Sequence, residues 1–327
     1  MELVSKKKLM LFAGQGNEEL SGEIAECLEV PLGEVKLSTF ASGELYARYG
    51  ESVRGADAFI VQSHCEPIND RIMQQLLMID AAKRASARRI TAVCPFYGYA
   101  RQDRKAEGRE PISARLLADL LTVAGADRLV SVDLHTGQIQ GFFDGPVDHL
   151  TAVPLLADYL AGQVDGDAVI VSPDAGGLKL ARRFANCLGD AGVESELAFI
   201  DKRRPKGTHN VAEATDVVGN VEGGVCVLVD DMIDTAGTIT SAVNLLRERG
   251  AAEVWVAATH GVLSGPAVDI LKNSRISEII ITNTLPIPDD KRFDALEVLS
   301  IAPTIAEALD AVFEDTSVSE IFRGDNV

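Results

Sequence analysis

The chain has 327 residues, long for one hydrophobic core and suited to two α/β domains, and its 46% hydrophobic content excludes a disordered protein. A formal net charge of −18 excludes a general nucleic-acid binder, and no apolar run reaches the ~20 residues that a membrane span needs. Cys27, Cys65, Cys94, Cys187 and Cys226 are scattered, odd in number and without CxxC spacing. Reduced thiols in the cytoplasm are therefore expected, with no disulfide frame and no zinc site. The basic N-terminus lacks an apolar core and a small-residue cleavage site, so no signal peptide is expected.

Short apolar runs predict strands at 9–13, 58–62, 90–94, 129–132, 168–171, 197–200, 225–229, 254–258 and 278–282. Helix-period stretches such as 72–85, 112–124, 178–188 and 239–249 lie between them. This alternation predicts an α/β protein with parallel sheets covered on both faces. Residues 56–101 and 223–265 share one order of strand, polar loop, helix, small-residue turn and strand. A boundary near residue 150 gives each half one copy, as in a degenerate duplication.

In open α/β sheets, ligands sit beyond the carboxyl ends of the strands. Taken in chain order, the run 90–94 leads into Tyr97-Gly-Tyr-Ala-Arg101-Gln102-Asp103-Arg104. Residues 81–110 carry eight Lys or Arg against three acids, a local excess that suits a small polyanion. The run 129–132 ends in Asp133-Leu-His135, and 168–171 in Ser172-Pro-Asp174-Ala-Gly176-Gly177. The run 197–200 meets a second basic knot, Lys202-Arg203-Arg204-Pro205-Lys206.

The most loaded end follows 225–229: Asp230-Asp231-Met-Ile-Asp234-Thr235-Ala236-Gly237-Thr238, then a helix with Ile239, Ala242, Val243 and Leu246 at helical spacing. Small residues let a ligand approach the backbone, two threonines add hydroxyls, and the amides of loop and helix start form a phosphate cradle. Asp230 and Asp231 suit sugar hydroxyls or a metal-bound water. The bland alternative is an ordinary Asp cap before a helix.

This last stretch resembles the phosphoribosyl-diphosphate loop of both type I phosphoribosyltransferases and ribose-phosphate diphosphokinases. The 97–104, 131–143, 169–177 and 200–205 segments separate the two, because together they closely match the bacterial class I ribose-phosphate diphosphokinases. The likeness runs from Phe12-Ala13-Gly14 to the Val318–Phe322 stretch.

The resemblance implies two tandem domains of the type I phosphoribosyltransferase kind, each a mainly parallel sheet flanked by helices. Residues 1–150 would carry the ATP loops and 151–327 the ribose 5-phosphate and catalytic loops. It implies transfer of diphosphate from ATP to the anomeric hydroxyl of ribose 5-phosphate, giving 5-phosphoribosyl 1-diphosphate and AMP. ATP is assigned to Phe40, Ser42, Gly43, Glu44, Arg101, Gln102 and Arg104, with Phe40 lent by a neighbouring subunit. Ribose 5-phosphate is assigned to Arg204, Asp230, Asp231, Asp234, Thr235, Ala236, Gly237 and Thr238. Lys202 and Arg204 are the implied catalytic side chains, and His135 and Asp174 the implied Mg²⁺ ligands at the junction of the domains. A homo-oligomer, usually a hexamer, is implied, with no nucleic-acid or membrane partner.

Four departures from the family pattern stand out. Ser42 replaces an Asp or Asn. Gly261 replaces a proline, which implies a looser turn. Ala106-Glu107-Gly108 replaces a more basic segment tied to phosphate and ADP regulation. Residues 206–210 lengthen the catalytic loop. Two alternatives compete: a type I phosphoribosyltransferase, which gives Arg101–Arg104 and His135 no role, and a non-catalytic regulatory subunit, which would have lost catalytic side chains that are all present here.

Overall fold

The computed structural model describes residues 7–164, 166–203 and 213–322, and side chains within them except at 202, 203, 213–215, 320 and 322. The described residues fall into two compact units. One comprises Met1–Thr151, Thr284–Pro286 and Ser300–Val327, the other Ala152–Asn283 and Ile287–Leu299.

The first unit contains β1 (Leu9–Ala13), α1 (Glu18–Cys27), β2 (Val35–Thr39), β3 (Leu45–Tyr49), β4 (Asp57–Val61), α2 (Ile68–Arg84), β5 (Arg89–Cys94), α3 (Ser113–Ala124), β6 (Arg128–Val132) and β7 (Val147–Leu150). Five strands form an all-parallel sheet in the order β1-β4-β5-β6-β7. β4 is buried along its whole length, as expected of a strand covered on both faces. Its core joins Phe12, Ile60 and Ala92 of the sheet to Met78, Ile79 and Leu121 of the helices. β2 and β3 form a separate antiparallel hairpin.

The second unit contains α4 (Val153–Ala161), β8 (Ala168–Ser172), α5 (Leu178–Asp190), β9 (Ser195–Arg203), β10 (Glu213–Val218), β11 (Val225–Ile233), α6 (Gly237–Glu248), β12 (Glu253–Gly261), α7 (Ala267–Lys272), β13 (Glu278–Thr282) and β14 (Leu296–Leu299). Its sheet runs β10-β9-β8-β11-β12-β13-β14 and is parallel except for the antiparallel edge pair β10–β9. α6 buries Ile239, Ala242, Val243 and Leu246, the apolar positions its sequence spacing marks. Each of these side chains is worth roughly 1.5–3 kcal/mol when fully buried, less for alanine. The chain then returns to the first unit, where α8 (Ala302–Glu314) packs on α1.

Gly261 does not sit in a loose turn. It is the last residue of β12, paired with Ile233, and a Cβ added there would stand 2.4 Å from Ile281 Cδ1. A close side-chain approach explains a glycine at this position.

Candidate active site

The sugar-side residues sit at the carboxyl end of β11. That strand pairs with β8 only as far as Leu228, but with β12 as far as Ile233. Asp230 and Asp231 therefore lie on a stretch of strand that has outrun one of its neighbours. Two acids in a fully sandwiched strand would be costly to bury, and here both are only partly buried. The Asp231 amide donates to Asp230 Oδ1 at 2.9 Å. Burial pushes the Asp230 carboxyl well above the usual carboxylate range, and the carboxylates of Asp231 and Asp174 push it further.

After β11 the loop is braced from β12's far side: Leu263 and Ser264 amides donate to the carbonyls of Ile233 and Asp234, both at 3.0 Å. Ala236 then adopts the left-handed conformation, with φ at 65°, and no side chain caps α6. The first bond of the helix is donated by Thr240 to the Ala236 carbonyl, so the amides of Gly237, Thr238 and Ile239 precede the helical ladder. Nothing lies within 4 Å of a Cβ placed on Gly237. An uncapped helix start beside open space is suited to an anion.

Asp174, after β8, is a cap as well as a carboxylate. Its Oδ1 accepts from the amides of Gly176 and Gly177 at 2.9 and 3.2 Å, and its carbonyl accepts from Ser172 Oγ at 2.6 Å. Among the described residues no three His, Cys, Asp or Glu side chains converge as a metal centre. The carboxylate of Asp174 is nevertheless of the kind that suits Mg²⁺, which is commonly held by one or two carboxylates with substrate phosphates and water. Burial is the main cause of the raised Asp230 carboxyl, and the smaller share due to the carboxylates of Asp231 and Asp174 is what a nearby divalent cation would relieve.

The nucleotide-side residues lie in the first unit. Phe40, Ser42, Gly43 and Glu44 form the tip of the β2–β3 hairpin. Phe40 and Glu44 close the turn through a 2.8 Å amide-to-carbonyl bond, and Gly43 supplies the left-handed φ of 91°. Ser42 Oγ donates to Glu44 Oε2 at 2.9 Å. Phe40 is 55% exposed, its ring meeting Tyr46 edge-on at 5.7 Å.

Arg101, Gln102 and Arg104 are exposed on the loop after β5. That loop is fixed at its root by buried His64, whose Nδ1 accepts from the Gly98 amide at 2.9 Å while Nε2 faces Gln75 Oε1 at 2.9 Å. Burial pulls the His64 imidazole down to about 4, so it is neutral. His135 follows β6 and is exposed. The preceding amide, of Leu134, donates to His149 Nε2 at 2.8 Å, and Gln140 Nε2 faces His149 Nδ1 at 3.2 Å. Sequence reasoning missed His149, which lies on β7, and gave no role to Asp103, which is buried in the middle of the basic loop. The backbone of Lys202 lies in β9, but its side chain, and all of Arg204 and the 204–212 segment, lie outside the described residues.

Residues 9–125 match the model of the N-terminal domain of ribose phosphate pyrophosphokinase, and residues 194–323 match the phosphoribosyl synthetase-associated domain. The chain is 56% identical over 323 residues to the ribose-phosphate pyrophosphokinase of Streptomyces coelicolor, covering 98% of each chain. The Bifidobacterium longum enzyme of the same name is also 56% identical, over 97% of this chain and 93% of that one. A crystal structure of phosphoribosylpyrophosphate synthetase from Mycobacterium smegmatis matches with a TM-score of 0.88 and 56% identity, over 94% of this chain and 100% of that one.

Proposed function

The chain belongs to the ribose-phosphate pyrophosphokinase family, and on that premise we propose that its two units divide the substrates, ATP to loops of the first and ribose 5-phosphate to the 230–238 segment of the second. The enzyme makes 5-phosphoribosyl 1-diphosphate for nucleotide biosynthesis. The anomeric hydroxyl oxygen of ribose 5-phosphate bonds to the β-phosphorus of ATP. The bond from that phosphorus to the α,β-bridging oxygen breaks, AMP leaves, and the hydroxyl proton is released.

The observation that carries the site assignment is the acid pair on the overhanging end of β11, followed by an uncapped helix start. Amides 237–239 receive the 5-phosphate, with the hydroxyls of Thr235 and Thr238, and Asp230 and Asp231 accept from the ribose hydroxyls. Arg101 and Arg104 clamp the ATP phosphates through planar guanidinium forks. Gln102 and the Phe40–Glu44 turn take the nucleoside. Lys202 and Arg204 neutralise the charge that grows on the transferring group. By family resemblance His135 and Asp174 would hold Mg²⁺, which would add to the neutralisation of the phosphates. No covalent nucleophile is required, since in-line positioning suffices.

No described helix is long and apolar enough to cross a membrane. The five free cysteines support a reducing, cytoplasmic setting. Ile112, Leu116, Leu120 and Val123 expose an apolar stripe along α3, which supports self-association of this chain, as a hexamer by family resemblance.

The test is a pair of substitutions in the cradle. Gly237→Val has room in the free protein and should fold normally, yet its side chain would fill the phosphate position. It and Thr238→Ala should raise KM for ribose 5-phosphate far more than KM for ATP. Equal effects on both substrates, or none, would place the sugar elsewhere.

A further inference from the structure

The geometry points to Asp103 as a positioning residue for the nucleotide side of the reaction, an inference that rests on the function assigned above. Asp103 lies in the most basic stretch of the chain, between Arg101-Gln102 and Arg104-Lys105. Its neighbours are exposed, whereas Asp103 is only 7% exposed. A carboxylate among cations is ordinarily read as a surface ion pair. This one instead turns inward and binds neutral groups.

One oxygen does the work. Asp103 Oδ2 accepts from Thr136 Oγ1 at 2.7 Å and from Gln138 Nε2 at 2.5 Å. Thr136 and Gln138 are one and three residues after His135. The two segments leave adjacent parallel strands side by side: Cys94, the end of β5, pairs with Ser131 of β6, and Ser131 Oγ donates to the Cys94 carbonyl at 2.9 Å. The carboxylate is thus a bolt between the arginine loop and the His135 segment, placed just past the point where the sheet stops holding them together.

Each segment is also pinned elsewhere. Gln102 donates its amide to the Tyr99 carbonyl at 2.9 Å, and its Oε1 accepts from Ser113 Oγ at 2.6 Å. The His135 side is held by the bond from Leu134 to His149 and by Ile139, which is fully buried. Those contacts tie each segment to the body of the unit, whereas Asp103 ties one segment to the other. Charge-assisted bonds to a buried carboxylate are the stronger kind, and removing it leaves a hydroxyl and an amide without their acceptor. The consequence is kinetic. Arg101 and Arg104 are long exposed side chains, and the direction in which their forks point depends on a backbone that Asp103 holds still. Misplacing a clamp by about 1 Å can cost about 100-fold in rate.

The experiment compares Asp103→Leu, which keeps the size and loses both acceptor oxygens, with Asp103→Asn, whose carbonyl oxygen still accepts from both partners. Asp103→Leu should lower kcat/KM for ATP by up to about 100-fold and weaken binding of α,β-methylene ATP, with KM for ribose 5-phosphate unchanged. Asp103→Asn should recover most of the loss. If Asp103→Leu does not fold, the double variant Thr136→Val with Gln138→Ala removes the partners instead and should give the same ATP-selective loss. A fall in Tm with wild-type ATP kinetics, or equal losses for both substrates, would overturn the positioning role. Failure of the wild-type protein to form AMP would instead overturn the assigned function.

Discussion

The Asp231 amide donates to the carboxylate of Asp230 at 2.9 Å, and the Asp231 side chain adds its own charge beside that carboxyl near the end of β11. This is a site held at the expense of stability. Because burial raises the Asp230 carboxyl above its unfolded value, the folded chain binds the proton more tightly than the unfolded chain does. Stability is therefore greatest in acid with respect to this group and falls as pH rises through the raised value. Asp230→Asn should raise Tm at neutral pH in the ligand-free protein, with the gain shrinking toward about pH 4, the ordinary Asp range. It should also weaken ribose 5-phosphate. A lower Tm at neutral pH would mean that the ionised group is stabilised where it stands.

Ser42 is held by Glu44, its hydroxyl donating to Oε2 at 2.9 Å across the hairpin tip. If this turn meets the nucleotide, Ser42→Ala releases Glu44 and removes one fixed polar group. One ordinary hydrogen bond lost from the nucleotide site costs about 0.5–1.5 kcal/mol, so KM for ATP should rise by about 2- to 10-fold. KM for ribose 5-phosphate should stay as it is. Unaltered nucleotide kinetics would make Ser42 a bystander in the turn.

Much of this was legible in the sequence because parallel strands buried on both faces are unbroken apolar runs. The strands at 9–13 and 278–282 have the bounds their apolar residues imply. β11 reads short for a physical reason: an apolar-run criterion stops at Val229, while the backbone keeps pairing with β12 through two acids to Ile233. The β2–β3 hairpin escaped notice because it lies outside the main sheets, is only partly buried, and gives no clean run. The 230–238 motif was legible because its chemistry is contiguous. Asp103 was quoted within a motif but not understood, since its partners lie 33 and 35 residues away and its inward turn is a tertiary choice. His149 was silent for the same reason, supporting Leu134 from a neighbouring strand.

Lys202 and Arg204 are proposed to act chiefly in the step itself, with Arg204 sharing in ribose 5-phosphate binding. Groups that meet charge only as it develops affect turnover more than substrate affinity. Lys202→Ala and Arg204→Ala should each lower kcat by at least ~100-fold, the usual cost of one lost charge-stabilising donor. KM for ATP and for ribose 5-phosphate should change far less. Near-normal turnover in both variants would reduce the segment to a solvated basic loop.

The most direct measurement follows the label in the reaction. With ATP carrying ³²P at the γ position, ribose 5-phosphate and Mg²⁺, the account predicts that the label moves to the sugar as part of an intact diphosphate. AMP should form in equal amount. ADP as the stoichiometric nucleotide product, with a single labelled phosphate on the sugar, would contradict it.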